Sequence, residues 1–140
     1  MRQVHRPTPE TMAEGQVLYL FDYGTYGGRS QWTTRRGRVE GVSEDRSTVS
    51  CFVSANDTRT PSGFKWTGDA YVPIGRRFSG ELRLATDPEV IETRKRNVVR
   101  WLRSQTGAIE LDESPETYVT RVREAAERAG TRLLRIEEGL

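Results

Sequence analysis

Cysteine and histidine are almost absent from this chain of 140 residues: Cys51 and His5 are the only ones. A lone cysteine forms no disulfide within the chain and suits a reducing compartment. A structural zinc site usually needs four Cys or His ligands, so no metal site is expected. A nucleophile–base pair could only be Cys51 with His5. Cys51 lies in the strand-like run Ser50, Cys51, Phe52, Val53 and reads as a small buried hydrophobe. Long apolar runs are also missing. The longest, residues 17–21, is far short of the roughly 20 residues a membrane helix needs. No apolar stretch follows the charges of residues 1–7, so no secretory signal is expected. Neither a phosphate-cradling glycine loop before a helix nor a strand–Ser–helix elbow is present. No catalytic, cofactor-binding or metal-binding residue is therefore assigned. No cofactor is expected, and the chain is not read as an enzyme. A cytoplasmic protein with no membrane partner is the expectation.

Lysine is scarce too. Two of the 22 basic residues are lysine, leaving 20 arginines against 20 acids and a net charge of +2. Arginine grips carboxylates and phosphates bidentately and stacks on aromatic rings. Bulk charge does not mark a nucleic-acid binder, so clustering carries the information. Residues 94–103 hold Arg94, Lys95, Arg96, Arg100 and Arg103 without an acid.

Residues 15–86 read as a small β-barrel. Residues 17–23 are β-branched and aromatic, and Gly24, Gly27 and Gly28 break them with a turn. Residues 30–42 continue, with Gly37 and Gly41 marking bulges or bends. Residues 48–53 alternate as a third strand. Short strands are expected near 64–66, 71–72 and 76–78. In residues 19–23 one face carries Tyr19, Phe21 and Tyr23 and the other Leu20 and Asp22. Either face could line the core. Ten of the twelve aromatics precede residue 81, with Arg29, Arg35, Arg36 and Arg38 interleaved. Such a surface stacks bases or grips a peptide. Tyr26, Arg29, Arg35, Arg36 and Trp66 are its candidate contacts.

Residues 1–14 read as a flexible leader, because Pro7 and Pro9 interrupt a segment without apolar periodicity. Residues 87–140 read as a helical α/β extension packed on the barrel. Asp87, Pro88 and Glu89 supply an N-cap, a first-turn proline and an acid for the helix dipole. The helix runs to about Gln105 and buries Ile91, Val98 and Leu102. That turns Arg96, Arg100 and Arg103 outward, either as a solvated helix face whose late cations suit the dipole or as a docking face for nucleic acid or an acidic protein. A short strand is expected at 108–112 and a second helix from Ser114 to Gly130; residues 133–136 are apolar enough for a final strand, and whether 131–138 form a strand or continue a helix stays open. The fold class is α+β: an SH3-like barrel, two helices and short additional strands.

The order of elements resembles a broad set of small bacteriophage proteins. The aromatic strand leads to a basic Gly-Gly turn, then Val39, Glu40, Gly41 and Val42. A basic loop precedes Arg83, Leu84, Ala85, Thr86, Asp87, Pro88 and Glu89. The arginine-rich helix with Val99, Arg100, Trp101 and Leu102 comes last. In those proteins an SH3-like barrel precedes a charged helix. The resemblance covers residues 15–104, and residues 105–140 depart from it. It implies a non-enzymatic binding protein acting in the host cytoplasm on a host protein complex, transcription machinery among the candidates. A nucleic-acid-binding module and a structural virion or assembly protein are the alternatives.

Overall fold

A computed structural model describes residues 3–26, 28–53 and 60–140, with the side chains of Thr25 and Tyr26 outside the description. The chain divides into two compact units, one ending at Val90 and the other Ile91–Leu140.

The first unit is a six-stranded antiparallel sheet curled into a nearly closed barrel. Its strands are β1 (Val17–Tyr26), β2 (Arg29–Val42), β3 (Thr48–Val53), β4 (Ser62–Trp66), β5 (Tyr71–Pro73) and β6 (Glu81–Arg83). They lie in the order β5-β4-β3-β2-β1-β6, and the outer strands β5 and β6 approach each other. Alternation sorts each strand. Leu18 and Leu20 of β1, Val39 of β2, Val49, Cys51 and Val53 of β3, Phe64, Tyr71 and Leu82 form the main core. The pairing of β2 with β3 shifts between Val39 and Gly41, so one extra residue bends the sheet there. Gly37 keeps regular register between Leu18 and Val53.

Three expectations are corrected. The leader is not loose: residues 3–14 are fastened to the barrel. Met12 is only 2% exposed and belongs to the main core, and Pro7 is buried. The Arg46 guanidinium donates to the carbonyls of Pro9 and Met12. Leu84 N–H donates to the His5 carbonyl, and Arg6 pairs with Glu81. Residues 76–78 form no strand. The last strand begins five residues later, after Gly80, whose φ is +95°. A Cβ there would overlap the Phe21 carbonyl oxygen, so only glycine lets the chain pass this close to β1.

The third correction concerns the second unit, which holds most of α1 (Pro88–Gln105) and all of α2 (Pro115–Glu137). Asp87 caps α1 as expected, its carboxylate accepting from Val90 N–H at 3.0 Å. Ser114 caps α2 by accepting from Thr117 N–H. Residues 108–112 form no strand, and α2 runs straight through Gly130 to absorb residues 133–136. Leu133 and Ile136 thereby join Val98 and Ala129 in the unit's core, with Ile91, Trp101 and Leu102 packed around them. Burial of that apolar face outweighs the roughly 1 kcal/mol that an interior glycine costs a helix.

Candidate functional site

The pairing of β1 decides which face is inside. Leu18 and Leu20 enter the barrel, so Tyr19, Phe21 and Tyr23 lie on its outer surface. Tyr19 and Phe21 are nevertheless buried, because Ala85 and Val90 cover them. The rings toward the hairpin end remain open to solvent: Tyr23 is 46% and Trp32 49% exposed. Cross-strand register sets these two opposite each other, with ring centroids 5.0 Å apart. Trp32 also lies flat on Phe21, at 4.7 Å and 8° between planes. The Arg83 guanidinium sits 4.4 Å from the Phe21 ring centre. An exposed indole is thus held in one orientation by a buried ring.

Beside these rings lies a charge network that holds the fold. Glu81 accepts from Arg6 and Arg83, and Arg83 also donates to Asp87 and Glu89. Burial pushes the Glu81 carboxyl up, but hydrogen bonds and charge from the two arginines hold it below the usual glutamate range. Asp87 is fully buried and accepts from His5 N–H at 2.9 Å as well as from Val90. These groups are engaged with one another.

The barrel mouth next to Tyr23 opens as a cavity of about 340 Å³, lined by Asp22, Tyr23, Arg35, Arg76, Arg77 and Phe78 among others. Asp22 is buried and accepts from Arg35 Nε at 3.1 Å and Ser79 N–H at 2.9 Å. Arg35 and Arg77 stack on Phe78, at 5.5 and 5.3 Å from its centre. Arg76 and Arg77 are exposed at the rim.

Within the first unit the expected site residues do not share one face. Arg29 and Arg36 are exposed on β2, with Arg36 opposite Tyr19. Arg35 turns the other way, onto Asp22. Trp66 is half-buried: it packs against the core and tilts on Tyr71 at 5.1 Å. The Tyr26 side chain lies outside the described residues. In the second unit Arg94 is half-buried, and Lys95 pairs with Glu137 at 2.8 Å. Arg96 pairs with Glu92, an acid one turn earlier that the cation run hides. Arg96, Arg100 and Arg103 are exposed. Spaced four and three residues apart, they fall within about 60° of arc on α1.

Sequence reasoning missed Tyr23 and Trp32 as a pair, and Arg76 and Arg77 as lining one cavity with Tyr23. β1 runs on through Gly24, where a turn was expected, to Tyr26, and that longer hairpin sets positions 23 and 32 opposite; a turn at 24–28 would have set 23 opposite 29. The Cys51 thiol is pushed up to about 12 by burial, which suits a packing role. Among the described residues no cluster of His, Cys, Asp or Glu is arranged to hold a metal ion. Among them, too, no helix is long and apolar enough to cross a membrane. No protein-family model, curated protein or solved structure matches the chain.

Proposed function

We propose that this protein is a non-enzymatic binding protein, of the kind bacteriophages and mobile elements use to engage a host protein complex in the cytoplasm, with transcription machinery among the candidates. One observation carries the reading: Arg96, Arg100 and Arg103 stand exposed on one side of α1. Like charges at this spacing cost an isolated helix about 0.2–0.5 kcal/mol per pair. The single acid one turn before them, Glu92, offsets part of that cost through Arg96. A partner presenting carboxylates would add charge-assisted, bidentate hydrogen bonds to these exposed guanidinium groups. Arginine is also among the residues enriched where protein interfaces concentrate their energy.

The test is capture from bacterial lysate on the immobilised full-length chain, with and without nuclease. The reading expects a defined protein complex that survives nuclease treatment and is released by salt. Capture that disappears with nuclease would replace it with a nucleic-acid partner. Self-association into large particles, with no host protein retained, would favour an assembly role instead.

A further inference from the structure

We propose that the hairpin end of the barrel, built on Trp32 and Tyr23 and rimmed by arginine, binds single-stranded nucleic acid. This surface belongs to the first unit and is independent of the role proposed for α1.

Three observations converge. The first is a stacking platform. Trp32 is half exposed yet lies parallel on the buried Phe21 ring, and Tyr23 tilts against it at 5.0 Å. A ring already fixed in place loses little freedom when a base stacks on it. Every base has a π-face, so such a platform tolerates many sequences.

The second is charge. Arg29, Arg76 and Arg77 are exposed at this end, and Arg35 faces its one acid, Asp22. That acid is buried and engaged by Arg35 and Ser79. With Asp22 and Arg35 paired, Arg29, Arg76 and Arg77 leave this end with a local excess of three positive charges, although the chain as a whole carries only +2.

The third is continuity. Tyr23 both packs on Trp32 and lines the mouth cavity with Arg76 and Arg77. A strand with a base on the aromatic pair can thus continue past Tyr23 toward a cavity whose rim offers guanidinium groups to an adjoining phosphate. Duplex DNA hides its base faces within the stack and cannot use the platform. A protein partner could use the rings, but one matching this excess of cations would have to be strongly acidic. A single strand brings planar rings and regular negative charge together.

The experiment is fluorescence anisotropy of the full-length protein with a labelled oligothymidylate of about 12 nucleotides, a length within the usual range for one small barrel. A duplex of equal length is the competitor, and salt is varied from about 50 to 200 mM. The expected result is salt-dependent binding of the single strand in preference to the duplex. Trp32→Ala should weaken it at least about tenfold, and Trp32→Phe should retain most of it, because stacking needs a ring rather than an indole. The double variant Arg76→Ala with Arg77→Ala touches only exposed side chains. It should lower the slope of log affinity against log salt by roughly 0.7 for each phosphate left without its arginine. Arg96→Glu with Arg100→Glu should leave oligonucleotide binding near the parent value, which separates this proposal from the one for α1.

No single-strand binding at the lowest salt would overturn the proposal. So would equal affinity for the duplex, or a Trp32→Ala variant that binds as well as the parent. An unchanged salt slope in the Arg76/Arg77 variant would also count against it. A protein ligand released by Trp32→Ala, with no oligonucleotide bound, would assign the surface to a protein.

Discussion

Truncating Met12 to alanine should destabilise the barrel more than its place in a proline-rich leader suggests. Met12 is 2% exposed and packs in the same core as Leu18, Leu20, Phe64 and Leu82. Its backbone is held by Arg46, which donates to the Met12 carbonyl at 2.8 Å and to that of Pro9 at 3.2 Å. The segment is thus pinned on either side of the truncated side chain and cannot collapse far into the space left behind. Large-to-small changes of this kind cost about 2–5 kcal/mol. A unit of about 90 residues loses roughly 4–8 °C of Tm per kcal/mol, so the fall should be at least about 8 °C. Thermal unfolding of the full-length variant, followed by circular dichroism, reads this directly. Glu14→Ala is the control, an exposed neighbour expected to move stability by about 0.5 kcal/mol or less. A Met12→Ala protein melting within about 2 °C of the parent would refute the claim that the leader is part of the core.

Other substitutions test separate parts of the fold. Gly80→Ala should exceed about 4 kcal/mol, because it combines a φ of +95° with overlap on the Phe21 carbonyl. Gly75→Ala has a similar φ of +93° but open space around it, and should cost only the backbone strain of about 1–2 kcal/mol. Paired urea titrations distinguish the two. The Cys51 thiol should resist a thiol reagent until the protein unfolds, since it is buried and its pKa is pushed up to about 12. Rapid labelling of the folded protein would contradict that. Glu81→Gln should destabilise at neutral pH by about 1.5–3 kcal/mol, the range for hydrogen bonds to charged groups. The Glu81 pKa is lowered on folding, so its contribution is complete above the unfolded value of about 4.3 and is lost as pH falls through the folded value. Parent and variant should therefore converge in Tm at acid pH, and a gap that widens there would show the sign is wrong.

The legible parts of this fold are those fixed by local chemistry. Alternation in residues 48–53 locates β3, and Asp87 followed by Pro88 and Glu89 locates the start of α1. The unreadable parts depend on distant partners. Met12 is one apolar side chain between prolines and threonines, and its burial depends on strands that follow it in the chain. Gly130 looks like a stop, but its surroundings are open and Ile136 beyond it has Val98 to pack against, so the helix continues. Residues 76–78 look extended, yet Asp22 captures the Ser79 backbone and holds this stretch out of the sheet. The candidate contacts divide in the same way. Exposure of Arg96, Arg100 and Arg103 follows from helical periodicity alone. The open rings of Tyr23 and Trp32 depend on which face of β1 turns inward. Five aromatic and apolar residues in a row leave that choice to the packing of Leu18 and Leu20 against β2, β3 and β6.

The central claim is that the protein binds a host protein complex through α1. Its most direct test compares the parent with Arg96→Glu plus Arg100→Glu in nuclease-treated capture from bacterial lysate, with Tm measured on both proteins. Both side chains are exposed, and losing the Arg96–Glu92 pair to a like-charge pair should cost about 1 kcal/mol or less. The expected result is loss of the captured complex at a nearly unchanged Tm. A double variant that retains the complex as well as the parent would contradict the claim and leave these arginines as a solvated helix face.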